Sequence, residues 1–146
     1  MIIQAKKKLK KYDLNYTCSI SEKLPFKDKE FDYILLAFGL RNFSDMKKSL
    51  NEIHRTLNTN GKFICLEFSQ VNKKMLRKLV DIYFSVIPKL GRIITRNEPA
   101  YEYLIESIKI FPNQMELTKI FNSVGFNNVE CFDILDGIAS IHIGEK

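Results

Sequence analysis

Apolar positions recur at two spacings along this chain, and the change from one to the other marks its elements. Ile2, Ala5, Leu9 and Tyr12 fall three to four residues apart, which predicts an amphipathic helix over residues 1–12 with its lysines outward. Residues 15–19 read as a short strand leading into Ile20, Ser21 and Glu22. Leu24, Pro25 and Phe26 then make a turn, and residues 27–30 a polar loop. Tyr33, Ile34, Leu35, Leu36, Ala37 and Phe38 follow without polar alternation, the pattern of a strand buried on both faces of a parallel sheet covered by helices.

Gly39 ends that run and delivers Arg41 and Asn42 to its carboxyl end. In open parallel sheets ligands bind just beyond those ends, so the two residues stand where a site belongs. The same spacing is met equally well by a plain turn with Arg41 in solvent.

Beyond it, Ser44 or Asp45 can cap a helix whose stripe is Met46, Leu50, Ile53 and Leu57. Residues 58–61 end that helix, with Gly61 suited to a left-handed turn. Residues 62–68 are the next buried strand, carrying Glu67 and Ser69 at its carboxyl end. Residues 75–87 are apolar over more than one helical face, which suits a lipid surface or a greasy substrate. A basic loop with Gly91, Arg92 and Arg96 comes next. Tyr101, Leu104, Ile105 and Ile108 mark one further helix, and Leu117, Ile120, Phe121 and Val124 another, closed by Gly125. Residues 129–134 and 138–143 form a hairpin around Asp136 and Gly137.

At 146 residues and 45% apolar content, a single core is expected. The first twelve residues have lysines where a signal peptide needs its apolar region, which favours the cytoplasm. Cys18, Cys65 and Cys131 show no paired metal spacing and each falls in a predicted strand, so they read as buried free thiols. His54 borders a helix stripe and is assigned no chemistry. The net charge of +6 gathers in Lys6, Lys7, Lys8, Lys10 and Lys11 and again in Lys73, Lys74, Arg77 and Lys78. Without a nucleic-acid-binding motif beside them, these read as solvated helix faces and no nucleic acid is expected.

The stretch LPFKDKEFDYILLAFGLRN over residues 24–42, then Leu66, Glu67, Phe68 and Ser69, then YEYLIESIKIF over residues 101–111, resembles the quinone-biosynthesis C-methyltransferases. These class I enzymes use S-adenosylmethionine to methylate a ring carbon of polyprenylated quinols in ubiquinone and menaquinone synthesis. The resemblance covers the later portion of the family. It implies an α/β, incomplete Rossmann-like sheet of the family's strands three to seven, with helices on both faces and a closing antiparallel hairpin. The full family order is third, second, first, fourth, fifth, seventh, sixth. The whole chain then reads as a partial methyltransferase domain lacking the amino-terminal Gly-rich cofactor segment.

Carried onto this chain, the resemblance implies catalytic roles for Arg41, Asn42 and Glu67. It places the cofactor beside Ile20, Ser21 and Ala37. The family's strand end usually offers adenine an acid or amide where Ile20 stands; Glu22 or the Ser21 backbone would have to substitute. It also implies a quinol substrate, a homo-oligomer or a separate chain completing the sheet, and peripheral contact at the inner membrane face. By itself the chain is then expected to be inactive. Two other classes compete: a non-catalytic remnant completed by a partner, and a nucleic-acid-binding module.

Overall fold

A computed structural model describes residues 2–71 and 98–146. Helix α1 (Ile2–Lys8) is followed by strand β1 (Phe31–Ala37), a 3-10 turn (Leu40–Asn42), helix α2 (Met46–Thr56) and strand β2 (Leu57–Phe68). Helices α3 (Glu98–Ile110) and α4 (Gln114–Val124) precede strands β3 (Asn127–Ile134) and β4 (Ala139–Glu145). The apolar stretch 75–87 and the basic loop with Gly91, Arg92 and Arg96 lie outside the described residues.

The four strands form one sheet in the order β1-β2-β4-β3, with β1 and β2 parallel and β4 antiparallel to both its neighbours. That is the expected succession of fourth, fifth, seventh and sixth family strands. The β3–β4 connection carries the anticipated Asp136 and Gly137, both left-handed, with Gly137 N donating to Ile134 O.

Local chemistry sets the helix limits. Asp45 caps α2 by accepting from Lys48 N at 3.0 Å. Asn113 and Glu116 form a reciprocal capping box on α4, and Gly125 closes that helix at φ 109°. One expectation is corrected here. Helix α2 ends at Thr56 because Leu57 turns directly into the sheet, and the left-handed residue is Asn60 (φ 64°). Gly61 instead permits a close approach: a Cβ there would lie 2.9 Å from Asn58 O and 3.1 Å from Asp32 O.

Leu50 and Ile53 of α2 and Leu117 and Phe121 of α4 share one core with Leu40, Leu57, Phe63, Cys65 and Phe126. The Phe63 and Phe121 rings stack at 5.3 Å. Ile34 and Leu36 pack on that core from β1. The opposite face of the sheet carries Tyr33, Leu35, Ile64, Leu66, Ile141 and Phe132. There Leu35 is 74% exposed, and the helical cover expected on both faces is found, among the described residues, on one. Among the described residues, strand β1 is therefore an edge strand with one packed face, not a strand buried on both. Its apolar run encodes burial that its described neighbours do not supply.

Residues 15–19 form no strand, since no described strand lies alongside to take their backbone hydrogen bonds; only a bridge between Ile20 and Lys23 follows. Helix α1 buries none of its residues. Of the three thiols only Cys65 is buried, and desolvation, with Glu67 nearby, pushes it up to about 12. Cys18 lies outside any strand and Cys131 on the exposed strand β3, so both are accessible.

Candidate active site

The site is built where β1 ends. The reversal falls at Phe38, which is left-handed (φ 52°), while Gly39 is not. Phe38 N donates to Leu66 O at 2.8 Å and its ring lies 4.7 Å from that of Phe68, so the chain is pinned to β2 before it turns. Leu40, fully buried, anchors the 3-10 turn to the core and leaves Arg41 and Asn42 at the rim.

Arg41 folds back onto the sheet. Its Nη1 donates to Glu67 Oε1 at 2.6 Å and to Phe38 O at 2.8 Å, and its backbone N donates to Glu67 Oε2 at 3.3 Å. The guanidinium carbon sits 5.3 Å from the centre of the Phe68 ring. With its side chain 11% exposed, Arg41 is not the solvated turn residue that spacing alone equally allowed. Buried Glu67 also accepts from Phe68 N at 3.0 Å, so both its oxygens are engaged by backbone donors, and the carboxylate held this way fixes the guanidinium. Arg41 Nε is buried with no hydrogen-bond partner among the described residues.

Asn42 is exposed, and its Oδ1 accepts from Tyr103 Oη at 2.9 Å. Helix α3 packs on the Leu40–Asn42 turn and brings Tyr103 there. Tyr103 lies in the YEYLIESIKIF stretch that carries the family resemblance, where helix packing and a place over the substrate are both open to it; its bond to Asn42 is what the structure adds.

The residues expected at the cofactor lie elsewhere on the rim. Ile20 is 65% exposed, and Ala37 is an exposed small residue at the end of β1. Ser21 Oγ donates to Glu22 Oε2 at 3.1 Å and accepts from Ser49 Oγ at 3.0 Å. Glu22 Oε1 accepts from Asp45 N at 3.0 Å, a bond that holds this carboxyl below the usual range. Glu22 is thereby committed to stapling the 20–23 turn to the start of α2. His54 packs edge-on against Phe126, the ring centres 5.0 Å apart.

The family model described as the ubiE/COQ5 methyltransferase family matches residues 1–146. The chain belongs to the ubiE/COQ5 methyltransferase family. A ubiquinone/menaquinone biosynthesis C-methyltransferase of Rickettsia bellii is 45% identical over all of this chain and 61% of its own length. The mitochondrial 2-methoxy-6-polyprenyl-1,4-benzoquinol methylase of Bos taurus is 45% identical over 86% of this chain and 38% of its own. The chain thus spans about three fifths of the bacterial relative. Among solved structures, a SAM-dependent methyltransferase of Thermotoga maritima, a possible histamine N-methyltransferase, superposes with a TM-score of 0.66 over 98% of this chain and 69% of its own, at 19% identity. The CurJ carbon methyltransferase gives the same score at 16% identity over 98% of this chain and 38% of its own. These structures establish the class I methyltransferase fold.

Proposed function

We propose that this chain carries the substrate-activating part of an S-adenosylmethionine-dependent C-methyltransferase acting on a ring carbon of a polyprenylated quinol, of the demethylmenaquinol or 2-polyprenyl-6-methoxybenzoquinol type. The observation that carries this reading is Arg41, held at the carboxyl ends of β1 and β2 by buried Glu67 with Asn42 beside it. Methylating a ring carbon requires an electron-rich ring, and a phenol becomes one by losing its proton. A phenol ionises near ~10, so some group must favour the anion at neutral pH. Arg41 is a permanent cation, and its guanidinium carries N–H groups beyond the Nη1 held by Glu67 and Phe38 O that can donate to an oxyanion. Asn42 orients the ring oxygen. Glu67 acts through Arg41, its oxygens being occupied, and water takes the phenolic proton.

S-adenosylmethionine, when bound, supplies the electrophilic methyl group. Exposed Ile20 and Ala37 offer a purine apolar contact and room, while Ser21 Oγ is turned toward Glu22 and Ser49. This chain therefore contributes contact more than polar recognition, and by itself it binds the cofactor weakly. The open edge of β1, with an apolar groove of about 360 Å³ lined by Phe26, Tyr33, Ile34 and Phe43, suits a strand added by a cofactor-binding segment. The polyprenyl tail favours peripheral contact with the inner face of the cytoplasmic membrane; no helix among the described residues is long and apolar enough to cross one.

The test is methyl transfer from labelled S-adenosylmethionine to a short-tailed demethylmenaquinol. The chain is assayed alone and with a family-type Gly-rich segment supplied in trans. Label in the quinol ring only when both are present supports the reading. No transfer in the completed mixture, with cofactor binding demonstrated, overturns it.

A further inference from the structure

Resting on the reading of Arg41 and Asn42 as the pair that faces the substrate oxygen, we propose that Tyr103 is a positioning residue that sets which side of the Asn42 carboxamide is presented there. The two side chains are 61 positions apart in sequence and meet at 2.9 Å. They meet because α3 packs on the Leu40–Asn42 turn.

A carboxamide has an acceptor oxygen on one side and a donor NH2 on the other, so its two flips present opposite chemistry. Tyr103 Oη donates to Oδ1 and holds that oxygen toward α3. The donor Nδ2 is left for a ligand. Arg41 can only donate. A ligand oxygen meeting both residues therefore finds donors alone, which suits an oxyanion and leaves the hydrogen of a neutral hydroxyl without an acceptor. Without the tyrosine hydroxyl, Asn42 is free to turn Oδ1 outward and accept from a protonated phenol. Tyr103 thus selects the ionised form of the substrate without touching it.

The test uses the 146-residue chain and 4-nitrophenol, whose anion alone absorbs visible light, so the probe reports its own ionisation without any methyl transfer. With the unmodified chain in excess, the bound probe should ionise at lower pH than the free one. Tyr103→Phe should weaken the preference for the anion about threefold to tenfold, moving the apparent pKa back by roughly half a unit to one unit. Asn42→Ala should do the same, and the double variant should match Asn42→Ala alone, because the tyrosine acts through the amide. Both side chains are exposed, so neither change disturbs the core. An unshifted pKa in the unmodified chain overturns the site reading and this inference with it. A shift that Asn42→Ala reduces and Tyr103→Phe leaves intact overturns the positioning role alone, as does a double variant in which the two losses add.

Discussion

Arg41 Nη1 and Glu67 Oε1 meet at 2.6 Å behind the carboxyl ends of β1 and β2, and the glutamate is only 1% exposed. The two residues are 26 positions apart, and parallel pairing of β1 with β2 brings them together. A carboxylate so placed is costly to desolvate, and the cation and the backbone N–H groups it accepts from offset that cost. The guanidinium is fixed in return, so the rim of the sheet holds an oriented positive charge.

Removing one partner leaves the other charge unpaired. Glu67→Ala should destabilise the chain by about 3–5 kcal/mol in urea unfolding, because Arg41 then has no carboxylate in the interior. Glu67→Gln, which keeps the shape and one acceptor, should cost less. Equal stability of all three proteins would show that the pair is solvated in solution.

Stability should also fall between neutral pH and pH 5. His142 is fully buried on β4, its Nε2 lies 3.0 Å from Gln114 O, and burial lowers its pKa. His54 is lowered too, chiefly by desolvation. Because the folded chain binds these protons less readily than the unfolded one, where histidine titrates near ~6.5, their contribution is complete above that pH and is lost as pH falls below it. Glu22, Asp45, Glu52 and Glu145 are lowered by hydrogen bonds and fail only in more acidic solution. The urea midpoint should drop from pH 7.5 to pH 5.5, and His142→Gln should flatten the drop. A flat profile in the unmodified chain would contradict it.

The open edge of β1 should associate. Tyr33 is 62% exposed and Leu35 74%, on a strand lacking the lysines or prolines that guard natural edges. Sedimentation velocity should show concentration-dependent association of the chain, and Leu35→Lys should reduce it. A monomer at every concentration would mean that the edge is covered.

Much of this arrangement was legible because it is local. The Asp45 cap, the stripe of Leu50 and Ile53, the Gly125 terminus and the Asp136–Gly137 turn each follow from residues within a few positions of one another. What depends on distant partners was not. An apolar run reveals that Tyr33 to Phe38 can be buried but not which element covers them, and residues 15–19 have strand character without a neighbour to pair with. Gly61 looked like a turn residue, whereas the close approach of Asp32 is what requires it. Arg41, Asn42 and Glu67 were indicated by strand-end position and family resemblance. The hydrogen bond from Tyr103 became visible only once α3 was placed on the turn.

Turnover of the Arg41→Ala variant tests the proposed stabilisation of a developing phenolate by the guanidinium. Methyl transfer to a short-tailed demethylmenaquinol should be measured on the chain completed by a family-type amino-terminal segment, alongside S-adenosylmethionine affinity. Turnover should fall by on the order of a hundredfold, about 3 kcal/mol, with cofactor affinity little changed. Arg41→Lys should recover only part, because a lysine lacks the planar fork that Glu67 holds. Unchanged turnover in a folded Arg41→Ala protein would assign the residue to structure alone and contradict the account.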